Sequence, residues 1–171
     1  APGSIAEKRG APPALPEVPE WDPKERLRFE REAIGFFITG HPLDKYEHDL
    51  RRFADATTDD LRNRENQSKV KLCGVIHTLK TKNTKKGERY EAFNLEDRMG
   101  VVEVIAWPDT YKRCETVIHS EEPVFVSGTL ELSDERCQIL ADEVALLVEA
   151  REKSVKQVHF ALRTERVNAD T

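Results

Sequence analysis

The sequence is short of apolar residues, aromatic rings and cysteine. Of 171 residues, 38% are hydrophobic and 7% aromatic against 35% charged, so much of the chain is solvated helix, loop or tail around one modest core. No apolar run approaches the roughly 20 residues that span a bilayer. The opening APGSIAEKRGAPPALPEVPE lacks the basic-then-apolar build of a signal peptide, so the expectation is a cytoplasmic protein with no membrane contact. Cys73, Cys114 and Cys137 are odd in number and contain no CxxC pair, which disfavours a disulfide framework and a zinc site and leaves them as buried thiols. The five histidines form no HxxxH or HExxH pattern. GxSxG, GxGxxG and phosphate-cradling glycine loops are missing too. Nothing therefore points to a nucleophile, a nucleotide pocket, a metal, a cofactor or a small-molecule substrate.

What is present begins with proline. Residues 1–20 hold most of the nine prolines and read as a linker or tail. A helical segment follows over 21–66. In WDPKERLRFEREAIGFF, Asp22 caps a helix with Pro23 at its first position and Glu25 in its first turn. Leu27, Ile34, Phe37 and Ile38 share one face of it, and Gly40 supplies the stop. HPLDKYEHDLRRF then restarts a helix, with Pro42 near its first turn and Leu43, Tyr46, Leu50 and Phe53 at helical spacing.

From Lys69 the period becomes alternating. Strands are expected at 69–81, 90–97 and 101–107, a helix over PDTYKRCETVIH with Tyr111, Cys114 and Ile118 on one side, and strands at 123–132 and 136–148. Three strands, a helix and two strands over 67–150 give the order of the five-stranded Greek-key barrel of the OB-fold. The fold class is thus mainly β, a barrel preceded by two short helices. Gly74 and Gly128 lie inside strands, where a small barrel bends. Alternation turns Val102, Val104 and Ala106 inward with Phe93 and Leu95. It leaves Val101, Glu103, Ile105 and Trp107 outside, together with Tyr90, Ala92, Asn94 and Glu96.

Charge is unevenly spread. Seven Lys or Arg stand against Glu88 alone between 69 and 89, a local net of +6, whereas 109–152 carries eleven acidic and four basic residues. OB-folds bind oligonucleotides across strands two and three, clamped by the loops joining strands one to two and four to five. KTKNTKKGERY places Lys80, Lys82, Lys85, Lys86 and Arg89 at the first loop, where they track phosphates without reading sequence. Tyr90 and Trp107 are the rings placed for base stacking, worth roughly 1–3 kcal/mol per base. Glu96 and Glu103 on the same face weigh against tight binding, so the expected affinity is micromolar or weaker, on the order of nonspecific binding.

EREAIGFFITGHPLDKY at 30–46, followed by TKKGERYEAFNLEDRMGVVEVIAWPDTY at 84–111, resembles the alpha subunit of bacterial DNA polymerase III, the C-family replicative polymerases, over about residues 24–150. The resemblance implies a fragment of a DNA-directed DNA polymerase, a nucleotidyltransferase whose catalytic carboxylates lie upstream. This piece would be a non-catalytic module on the single-stranded template during DNA replication. Lys82, Lys85, Lys86 and Arg89 match the family's basic first loop, His41 and Pro42 its GHPL turn, and Ala92 stands where relatives carry an aromatic residue. SVKQVHFALRTERVN, within 151–171, resembles the start of a following domain. Two other readings stay open: a protein-interaction module meeting replisome subunits through the acidic strands, and a tRNA anticodon-binding OB domain.

Overall fold

The computed structural model describes residues 19–35 and 37–153. The proline-rich stretch 1–18 and the tail 154–171, read above as a linker and as the start of a further domain, lie outside the described residues. The chain divides into two units, residues 1–37 and 38–171.

In the first unit, helix α1 runs Pro23–Ile34. Asp22 caps it by accepting from the Lys24 amide at 3.4 Å, as its sequence position predicts. The stop is Gly35 rather than Gly40. Gly35 takes φ 88, a conformation that disfavours side chains, and its amide closes on the Arg31 carbonyl. Phe37 and Ile38 therefore fall beyond the helix whose face they were expected to share, and none of the residues of α1 is buried.

The second unit opens on the GHPL turn. His41 Nδ1 accepts from the Leu43 amide at 3.1 Å, and the Asp44 carboxylate accepts from the His41 amide at 2.7 Å. A 3-10 turn at Asp44–Tyr46 then leads into α2, Glu47–Phe53. Five strands follow: β1 Lys69–Asn83, β2 Arg89–Glu96, β3 Val101–Ala106, β4 Val124–Leu132 and β5 Cys137–Leu146. Helix α3, Pro108–Ile118, separates β3 from β4. The strands close in the order β1-β2-β3-β5-β4, with β3 and β5 parallel and the other pairs antiparallel.

The core fills this barrel with Leu72, Phe93, Leu95, Val104, Leu130 and Ile139. Tyr111, Cys114 and Ile118 of α3 join it, on the one side that helical spacing assigned them. Closure depends on two glycines. β1 pairs with β4 up to Gly74 and with β2 from Val75, and a Cβ at Gly74 would lie 2.7 Å from the Glu96 carbonyl. At Gly128 the β4–β5 register shifts, and the Leu140 carbonyl occupies the space a side chain would need.

A second cluster forms on the outside of the barrel. Leu43, Cys73 and Leu147 are buried there against Tyr46, Leu50, Phe53, Val75 and Phe125, so the segment 43–53 packs on the outer surface of β1 and β4. Burial, with the Asp49 charge behind it, pushes the Cys73 thiol up to about 12. Cys114 is buried as read, whereas Cys137, at the start of β5, is only half-buried.

Within the second unit, the LEDRMG turn is tied to its surroundings. Asp97 in the LEDRMG turn accepts from the Met99 and Gly100 amides at 2.8 and 3.0 Å, and from the Thr58 amide and hydroxyl at 2.7 and 2.6 Å. Its neighbour Arg98 pairs with Asp44 of the GHPL turn at 2.8 Å. The His41 amide, reinforced by Arg98, holds the Asp44 carboxyl below its usual range.

Candidate nucleic-acid interface

Cross-strand register decides which side chains share the outer surface of β1, β2 and β3, because directly opposed residues in an antiparallel pair point the same way. Val75 opposes Glu96, and His77 opposes Asn94, so the odd positions of β1 face outward as far as His77. The register then slips by one residue, and Lys80 opposes Ala92 while Lys82 opposes Tyr90. The slip is a β-bulge with Thr78 at φ 56, its hydroxyl 2.9 Å from His77 Nδ1. His77 Nε2 in turn lies 3.2 Å from the Glu96 carboxylate.

Tyr90 and Trp107 come together as expected. Their ring centroids are 4.7 Å apart at an interplanar angle of 37°, with Trp107 43% exposed and so open to a further ring. The cations are placed differently from the loop reading. β1 extends to Asn83 and β2 begins at Arg89, so Lys80, Lys82 and Arg89 lie on strands and only Lys85 and Lys86 occupy the turn. Arg89 opposes Asn83 and faces the other side of the hairpin, away from Lys82 and Tyr90. All five cations are exposed, and no ion pair among the described residues engages any of them. The turn holds its shape through its own backbone, with the Thr84 amide donating to the Glu88 carbonyl at 2.8 Å and the Gly87 amide to the Thr84 carbonyl at 2.9 Å.

Ala92 departs from the outward reading: it is buried at 2% exposure. Its register is that of the outer face, but a methyl group between Lys80 on β1 and Ile105 on β3 is covered by its longer neighbours. The acids stand apart from the cations. Glu103 on β3 opposes Asn94, two residues along from the Lys80–Ala92 row and two strands across from Lys80, roughly 12 Å by strand rise and spacing and beyond a physiological Debye length of about 8 Å. Glu96 is farther still and is engaged by His77. Glu91, which the sequence reading did not single out, is buried on the inner side and accepts from the Thr81 hydroxyl. The fourth-to-fifth strand loop, Ser133–Arg136, sets Asp134 and Glu135 against one arginine, so the basic surface belongs to the first hairpin alone. Among the described residues, no three His, Cys, Asp or Glu side chains converge as metal ligands, and no helix is long and apolar enough to cross a membrane.

The closed five-stranded barrel, with residues 70–147 matching the family model described as an OB-fold nucleic acid binding domain and named for tRNA anticodon binding, defines the class: an OB-fold domain of the kind that family describes. More particularly, the chain is homologous to the OB region of DNA polymerase III subunit alpha. It is 38% identical to that subunit from Aquifex aeolicus over 130 residues, covering 75% of this chain, and 29% identical to the Treponema pallidum subunit over 155 residues, covering 91%. The chain spans only 11% and 13% of the length of these relatives. Among solved structures, it aligns over 48% of its length with 97% of the S. cerevisiae mitochondrial single-stranded DNA binding protein Rim1, at a TM-score of 0.39 and 14% identity.

Proposed function

We propose that this chain is a non-catalytic module of a cytoplasmic replicative DNA polymerase, and that it holds single-stranded template DNA during replication. The observation that carries the reading is the outer face of the first hairpin, where unpaired Lys80 and Lys82 stand beside the Tyr90–Trp107 pair, with Lys85 and Lys86 at the tip. Lysines on such an arm attract the sugar-phosphate chain at any base composition, through counterion release. An exposed indole offers a stacking surface that every base fits, provided the base is not already stacked in a duplex. Relatives that also match the helical flank, and not the barrel alone, favour DNA over tRNA as the ligand. Lys80, Lys82, Lys85, Lys86, Tyr90 and Trp107 are the binding residues, and Arg89 contributes charge from the far side of the hairpin.

The test is fluorescence anisotropy of the 171-residue chain with a labelled single-stranded oligonucleotide at low salt, against Lys82→Glu, Lys85→Glu and Lys86→Glu combined. The triple reversal is expected to abolish binding. Undiminished affinity would remove the template role and turn attention to protein partners of the acidic strands.

A further inference from the structure

We infer that the hairpin seats two successive nucleotides in one orientation, with their phosphates along β1 and their bases turned across β2 toward β3. The inference rests on the nucleic-acid reading of the same face and adds a direction to it.

The register lays the outer surface out in rows running across the three strands. One row is Lys82, Tyr90 and Trp107, and the next is Lys80, Ala92 and Ile105. Each begins with a cation on β1 and continues through apolar groups on β2 and β3. A third row, His77, Asn94 and Glu103, is polar throughout and begins with an imidazole engaged by Glu96. Opposed Cβ atoms lie about 4.5–5.5 Å apart, so a phosphate held at Lys82 has its base within reach of the Tyr90–Trp107 rings. A phosphate at Lys80 has its base beside the half-buried Ile105 side chain, which with Lys80 covers the Ala92 methyl. Cations and apolar groups thus lie on opposite sides of a line along the hairpin, which sets the phosphate edge of a single strand on β1 and its base edge toward β3.

The Thr78 bulge is what creates these rows. Continued alternation past His77 would set Leu79 against Ala92 and Thr81 against Tyr90, and would turn Lys80 inward against the buried Glu91. A β-branched residue at φ 56 is costly, and it is pinned here through His77 to Glu96 on β2.

The experiment moves charge from one face to the other without changing composition. In the isomeric variant Lys80→Thr, Thr81→Lys, Lys82→Asn and Asn83→Lys, the two cations face the Glu91 side. The slope of log affinity against log salt for a single-stranded oligonucleotide is expected to become shallower by about 1.4, at roughly 0.7 per lost phosphate contact. A slope equal to that of the parent chain would overturn the inference. The additive variant Thr81→Lys with Asn83→Lys leaves the native face intact and covers the case in which the isomer does not fold. Its slope is expected to match the parent, and a slope steeper by about 1.4 would show that number of cations, not face, governs binding. If the triple reversal abolishes binding while the isomer binds normally, only the orientation fails. If neither variant changes affinity, the nucleic-acid reading itself fails.

Discussion

The salt dependence of oligonucleotide binding can be worked out from the hairpin. Four lysines, at 80, 82, 85 and 86, are exposed, unpaired and placed on the outer face or the tip, while Arg89 points to the opposite side. If each releases one condensed counterion, the slope of log affinity against log salt is about −2.8, using roughly −0.7 per phosphate contact on a single strand. Raising salt from about 50 to 200 mM would then weaken binding about 50-fold. Neutralising two of the four with Lys80→Gln and Lys82→Gln would halve the slope to about −1.4 and reduce that loss to about sevenfold. Anisotropy or calorimetric titrations at four or five salt concentrations give both slopes, with amide dispersion in NMR spectra confirming that each chain is folded. A parent slope shallower than about −1, or one that the double substitution leaves unchanged, would refute the reasoning, because it would mean the lysines do not meet phosphates.

Four further outcomes follow from the fold. Gly128→Ala places a methyl group against the Leu140 carbonyl and 2.9 Å from Ile139 Cγ2; since backbone cannot move aside, thermal unfolding should show a loss of about 3 kcal/mol. At Gly100 the nearest atom is the Thr58 hydroxyl at 3.2 Å, and alanine there should cost under about 1 kcal/mol. Asp97→Ala removes the acceptor for four donors that join the LEDRMG turn to Thr58, so urea denaturation should report a loss of about 2–4 kcal/mol. Burial lowers the pKa of His41 below 6.5, and its Nδ1 must stay unprotonated to accept from the Leu43 amide. The folded state therefore binds fewer protons than the unfolded state, so the His41 contribution is complete above pH 6.5 and is lost as pH falls through the lowered value. Melting curves at pH 7.5 and 5.5 should show that decline in the parent and a smaller one in His41→Gln.

Much of the fold could be read residue by residue. Alternation assigned Phe93, Leu95, Val102, Val104 and Ala106 to the interior, and all five are buried, because a two-residue period fixes a face wherever one side meets a core. At Ala92 the rule gave the right face but not the exposure, which also depends on how far the neighbouring side chains reach. Helix α1 was read to Gly40 although Gly35 was the earlier stop signal; the apolar residues 36–38 continued the helical period past it. For the candidate site, the residue types were legible but their arrangement was not. In sequence the hairpin reads as a loop around its glycine, yet β1 runs to Asn83 because β2 supplies hydrogen-bonding partners that far.

The sequence by itself determined the number and order of the strands, the inward set, the concentration of positive charge before Tyr90 and the motifs shared with polymerase alpha subunits. Each of these is a property of neighbouring residues: a period, a glycine, a run of like charge. Tertiary structure alone decided that Lys80 and Lys82 share a face with Tyr90 and Trp107, that Arg89 does not, and that Asp44 and Arg98 tie the GHPL turn to the barrel. The physical reason is register. A single extra residue at Thr78 reverses every side chain beyond it, and whether a strand absorbs that residue is settled by the strand it pairs with.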